Sequence, residues 1–89
     1  MKQAKAITVK GRVQGVGFRF SAAHKAEELG IKGFVENRPD GKVYIEAEGD
    51  PEGLNSFISW CGKGPLTANV DDVVTQDIPV QDFNRFGIK

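Results

Sequence analysis

The sequence predicts an α+β fold, a ferredoxin-like split βαβ sandwich in which one antiparallel sheet carries two helices on one face. Three observations support it. Apolar residues alternate with polar ones at 4–13 and 42–48, two other stretches carry helical spacing, and the order of elements is strand, helix, hairpin, helix, strand. That order is the βαββαβ plan.

The first strand covers residues 4 to 13, where Ile7, Val9, Gly11 and Val13 point one way and Ala6, Thr8, Lys10 and Arg12 the other. The alternation stops at Gln14-Gly15-Val16-Gly17, a loop by its glycine content. From Ser21 the spacing is helical, with Ala22, Ala26 and Leu29 on one face and Gly30 as the stop. Residues 31 to 37 form a second strand. A turn at Asn37-Arg38-Pro39-Asp40-Gly41 leads to a third strand at 42 to 48, so the two make a hairpin. Glu46 and Glu48 fall on the face expected to be exposed.

Asp50-Pro51-Glu52 opens the second helix with an N-cap residue, a proline at the first position and an acid in the first turn. Its core stripe is Leu54, Phe57, Ile58 and Cys61, and Gly62, Gly64 and Pro65 end it. A fourth strand follows near 68 to 77, with Asp71-Asp72 as a solvated edge. After Pro79 a short apolar segment, Phe83 to Ile88, closes the chain.

Eighty-nine residues make a single domain, 1–89, which buries roughly 60% of its unfolded surface. Hydrophobic residues at 39% and charged residues at 27% are ordinary for a globular chain. Twelve basic residues balance twelve acidic ones, so no net field draws the chain to nucleic acid or to an anionic membrane. An anion site must then be local. One cysteine, Cys61, rules out an intrachain disulfide. The N-terminal stretch has no apolar run of signal-peptide length, and a cytoplasmic monomer is the expectation.

The loop between the first strand and the first helix is suited to phosphate. The first N–H groups of a helix lack partners and carry the positive end of its dipole. Gly15 and Gly17 let successive amides turn toward one point, and Arg19 brings a planar fork that grips two oxygens at once. Familiar phosphate motifs do not fit: no Lys-Ser/Thr follows the glycines, and no third glycine completes a dinucleotide fingerprint. Val13 stands where a thiol phosphatase would carry its cysteine, which excludes a phosphocysteine. By spacing alone, a glycine-rich turn with a surface arginine is an equal reading.

The segment Gly11 to Arg19, GRVQGVGFR, resembles the signature of the acylphosphatase family. Further matches follow in order: Leu29-Gly30, Gly33-Phe34-Val35 with Asn37, Asp40-Gly41, Phe57, Gly64-Pro65 and Phe86-Gly87-Ile88. The resemblance implies the ferredoxin-like sandwich already read from the pattern. It also implies hydrolysis of a small acyl phosphate to carboxylate and inorganic phosphate. In that family the arginine at Arg19 and the loop amides of Gln14, Gly15, Val16, Gly17 and Phe18 hold the phosphate, and the asparagine at Asn37 positions water. No metal and no cofactor are implied. Two departures, Phe34 where Trp or Tyr is common and Gly53 early in the second helix, lie away from these residues.

The chemistry suits the residues present. A departing carboxylate has a conjugate acid of pKa near ~4 and needs no proton from the enzyme. Charge neutralisation and fixed geometry then suffice. A phosphomonoester, whose alkoxide leaves far less readily, would need more. Read alone, Asn37 is a turn residue before Arg38-Pro39 more readily than a functional one, and it is the resemblance that reverses this. His24 reads as a solvated helix residue, Cys61 as a buried small hydrophobe, and Trp60, Phe18 and Phe20 as packing, with Phe18 able to wall the site. No His, Cys, Asp or Glu cluster has metal-ligand spacing.

Two rivals come from other classes. Lys32-Gly33-Phe34 matches the opening of an RNA-recognition strand, with Tyr44 on the same face, but Val35-Glu36 breaks that motif. A domain that binds an anion without turnover is the stronger alternative.

Overall fold

A computed structural model describes residues 1–89. Its elements are β1 (Gln3–Arg12), α1 (Phe18–Leu29), β2 (Lys32–Asn37), β3 (Val43–Gly49), α2 (Pro51–Cys61), β4 (Asn69–Ile78) and β5 (Phe86–Ile88). The strands form one sheet in the order β4-β1-β3-β2-β5. The ferredoxin-like α+β class stands. The sheet differs in one respect: the closing apolar segment is a fifth strand, parallel to β2, so the sheet is mixed rather than wholly antiparallel.

Alternation places Ile7, Val9, Val35, Val43, Ile45 and Ala47 on the helix-covered face, all fully buried. They meet Phe18, Ala22 and Ala26 of α1 and Leu54, Phe57 and Cys61 of α2 in one core. Gly11, grouped with the inward residues by sequence, is instead exposed at a register shift between β1 and β4. A Cβ there would meet the Asn69 main-chain oxygen at 2.3 Å, so this close approach requires glycine. Gly53 has a similar explanation, because a Cβ would lie 2.9 Å from the Leu29 oxygen where the two helices meet.

Helix α1 begins at Phe18, three residues before the helical spacing becomes readable at Ser21. Phe18, Ala22 and Ala26 continue one stripe at intervals of four, and Phe18 packs on Trp60 with ring centroids 5.4 Å apart. Phe20, expected to pack, is 71% exposed because it points away from that stripe.

Glu48 corrects the expectation for the other sheet face. It is 1% exposed, since residues 79–85 cross this face on their way from β4 to β5. Its carboxylate oxygens accept the main-chain N–H groups of Gln81 at 2.8 Å and Phe83 at 2.7 Å. A buried carboxylate is tolerated when both oxygens are so engaged. Glu46 beside it is partly buried, and accepts from the Gln81 amide and the Tyr44 hydroxyl. No helix is long and apolar enough to cross a membrane.

Candidate active site

β1 ends at Arg12 and the chain crosses to α1 through Gly15 and Gly17, whose φ values are +72° and +79°. Left-handed backbone at two glycines turns the chain without a steric penalty. Gly17 is the N-cap of α1 and provides no side-chain cap, and no acidic residue lies in the first turn. The first α-helical bond runs from the Ser21 N–H to the Gly17 oxygen. None of the six main-chain N–H groups from Gly15 to Phe20 donates to an acceptor within the protein. A run of free amides at a helix N-terminus is an anion-binding arrangement.

Both flanks of the loop are tied down. The Gln14 amide donates to the main-chain oxygens of Arg38 at 2.7 Å and Lys42 at 2.9 Å, which fastens the loop to the β2–β3 turn. On the other side Thr67 Oγ1 donates to the Val16 oxygen at 2.6 Å. Within the β2–β3 turn, Asp40 accepts the Lys42 N–H at 3.1 Å. That amide and the Lys42 ammonium hold its carboxyl below the usual carboxylate range.

Arg19 lies in the first turn of α1, where a cation opposes the helix dipole by about 0.3–1 kcal/mol. The position suits an anion better than it suits the helix. Its Nη1 donates to the Lys89 main-chain oxygen at 2.7 Å. That oxygen is itself held, because the Lys89 N–H donates to the Val35 oxygen at 2.8 Å on β2. One bond of five possible N–H donors is spent there, which leaves most of the fork free.

Asn37 ends β2 and faces the same small cavity as Arg19, although 18 positions separate them. Gly15 and Gly17 complete the polar lining, with Val13, Phe18 and Phe20 as its apolar part. The cavity volume is about 110 Å³. The structure therefore gathers Gly15, Gly17, Phe18, Arg19 and Asn37, expected at the site, in one place. Gln14 and Val16 do not line the cavity: the Gln14 side chain serves the hairpin turn, and Val16 packs against the core. Sequence reasoning missed the Lys89 oxygen, which has no side-chain signal, and Phe20, whose exposure periodicity did not reveal.

The aromatic pair on the other sheet face is formed, with Phe34 and Tyr44 centroids 6.1 Å apart. Lys89 Nζ lies 3.8 Å from the Phe34 centroid and the Arg38 guanidinium carbon 4.1 Å from that of Tyr44. His24 is exposed on α1, and Cys61 is buried with its thiol pKa pushed up to about 12 by desolvation.

Known proteins share this sequence and fold over nearly the whole chain. An acylphosphatase from Nocardioides sp. is 44% identical over 89 residues, covering 100% of this chain and 90% of that protein. The structure of an acylphosphatase from Coxiella burnetii superposes with a TM-score of 0.96 at 36% identity, over 99% of this chain and 93% of that one. The acylphosphatase from Bacillus subtilis gives 0.93 at 38% identity, over 100% and 99%. The acylphosphatase family model matches residues 5–88, from β1 through the last residue of β5. With its glycine loop, its arginine and all but the first two residues of its five-stranded sheet inside that match, the chain belongs to the acylphosphatase family, hydrolases that act on acid anhydrides.

Proposed function

We propose that this chain hydrolyses acyl phosphates by direct attack of water on phosphorus. Arg19 and the main-chain N–H groups of Gln14, Gly15, Val16, Gly17 and Phe18 hold the phosphoryl oxygens, and Asn37 orients the water. One observation carries the reading: Arg19 and Asn37 line one small cavity with Gly15 and Gly17, beside six amides that no protein acceptor takes.

The water oxygen forms a bond to phosphorus while the bond from phosphorus to the bridging oxygen breaks. The bridging oxygen leaves with the electron pair as carboxylate, and both water protons end on the product phosphate. No general base is needed for that balance. Asn37 both donates and accepts, so it can direct a water lone pair without charge. Arg19 and the amides face negative charge that is already present and that redistributes toward the leaving oxygen in the transition state.

The rival RNA reading loses support here, because the ring faces of Phe34 and Tyr44 carry the chain's own cations where a base would stack. The decisive experiment is phosphate release from an aryl-acyl phosphate in excess chelator, with a phosphomonoester alongside. Turnover of the first and not the second is expected. Binding of inorganic phosphate with no turnover of the acyl phosphate would favour an anion-binding role.

A further inference from the structure

The Arg19–Asn37 cavity is small, about 110 Å³, which suits a phosphoryl group and leaves the rest of a substrate outside. Of its three apolar lining residues, Val13 and Phe18 are each 1% exposed and belong to the core, whereas Phe20 is 71% exposed. Phe20 is thus the only apolar wall that reaches solvent. It also lines a second, open groove of about 620 Å³, in which Trp60 and Pro65 stand beside the polar Ser21, His24, Lys25 and Glu28. The ring stands between the two.

In an acyl phosphate, only one bridging oxygen and the carboxyl carbon separate phosphorus from the acyl body. A phosphoryl group held by the loop therefore places that body at the cavity mouth, against Phe20. Nothing in the fold asks for phenylalanine at this position. It lies off the α1 core stripe, and phenylalanine is a weaker helix former than lysine, glutamate or alanine.

Resting on the phosphate site proposed above, we infer that Phe20 and the groove beyond it form an acyl-group site. It favours flat, apolar acyl groups of about ring size. The groove offers Trp60 and Pro65 as further apolar surface among its polar residues, and ring-on-ring contact adds to the area buried. Small acyl groups such as acetyl end before the groove and gain little from it.

The test compares benzoyl phosphate with acetyl phosphate in the wild type and in Phe20→Ala and Phe20→Leu. Because the ring is largely in solvent, both variants should fold as the wild type does. The ratio of kcat/KM for benzoyl over acetyl phosphate should fall about tenfold in Phe20→Ala, mostly through KM. Phe20→Leu should fall between, since it keeps apolar area and loses the flat face. Inorganic phosphate, as a competitive inhibitor, should stay within about twofold. A ratio that Phe20→Ala leaves within twofold of wild type overturns the acyl site while leaving the hydrolase reading intact. A drop shared equally by both substrates also overturns it. A wild type that turns over neither substrate overturns both readings together.

Discussion

Arg19 and Lys89, seventy positions apart, are joined by one hydrogen bond of 2.7 Å from Nη1 to a main-chain oxygen. The bond ties the residue that follows β5, the shortest strand of the sheet, to the candidate site. β5 pairs with β2 in parallel, and the Lys89 N–H holds the Val35 oxygen two residues before Asn37. The β2–β5 pair therefore sets the position of the proposed water-orienting group directly and that of the phosphate-binding group through Lys89. A guanidinium fixed on one nitrogen keeps its plane, so its remaining donors stay aimed.

Arg19→Lys tests this arrangement. Lysine keeps the charge and three N–H donors but lacks the planar fork whose separate nitrogens reach the Lys89 oxygen on one side and two phosphoryl oxygens on the other. Charge-assisted hydrogen bonds contribute about 1.5–3 kcal/mol each, so losing two should lower kcat/KM more than a hundredfold. Circular dichroism should show the fold intact. A lysine variant that keeps more than about a tenth of wild-type kcat/KM would mean that another group holds the phosphate.

Asn37→Ala separates water from phosphate. Strand pairing of residue 37 with Val43 uses main chain alone, so the sheet should survive the change. The expected outcome is a loss in kcat of about a hundredfold with inorganic phosphate inhibition within about threefold of wild type, a split characteristic of a group that acts in the transition state. Weak phosphate binding with normal kcat would reassign Asn37 to substrate binding.

Most of the fold was legible because its determinants are periodic. Ile7, Val9, Val43, Ile45, Leu54, Phe57 and Cys61 sit where spacing places them. The loop was legible because two glycines close to an arginine are a chemical pattern as well as a turn. What was not legible depends on main-chain groups, which carry no residue signal. The fate of Glu48 is decided by two N–H donors on a connector that has no periodicity. The parallel pairing of β5 rests on three residues, too few to show a period. Gln14 serves two carbonyl oxygens of the hairpin turn, and amides of this kind look the same whether they meet a ligand or a neighbour.

Glu48 should prove a stability residue. Glu48→Gln replaces one acceptor oxygen with a donor that faces an N–H of the 79–85 connector. A buried donor left without acceptor costs about 1–3 kcal/mol, and urea unfolding should show a loss of that size. A change below about 0.5 kcal/mol would mean that water replaces the carboxylate and that the connector does not depend on it.

Cys61 makes a prediction about alkaline pH. Burial disfavours the thiolate, so the thiol pKa is pushed from an ordinary 9.0 up to about 12. Below pH 9 the group is protonated in both the folded and the unfolded chain, and its stabilising contribution is fully present. Above pH 9 the unfolded chain releases the proton while the folded one keeps it, so stability falls by roughly 1 kcal/mol per pH unit toward pH 12. Cys61→Ala lacks this slope. The stability difference between wild type and variant should therefore shrink between pH 9 and 11, and a constant difference over that range would contradict the assignment. The native thiol should also resist a thiol-specific reagent at pH 8.

The loop amides are tested through the two glycines. Gly15 and Gly17 both have positive φ, and a Cβ at either would meet nothing within 4 Å. Alanine there is disfavoured by backbone conformation alone, at about 1–2 kcal/mol, and relief of that strain would turn the neighbouring N–H groups away from a common point. At least one of Gly15→Ala and Gly17→Ala should weaken inorganic phosphate as a competitive inhibitor more than tenfold, about 1.4 kcal/mol. The control must carry the same strain without touching the loop. Gly41, at φ +91°, is unsuitable because its turn is fastened to the loop through the bonds from Gln14 to Arg38 and Lys42. Gly30, at φ +70° with equally open space, caps the far end of α1. Gly30→Ala should lose comparable stability in urea and leave phosphate inhibition within about twofold. If both loop variants bind phosphate as the wild type does, Arg19 holds the anion without a backbone cradle.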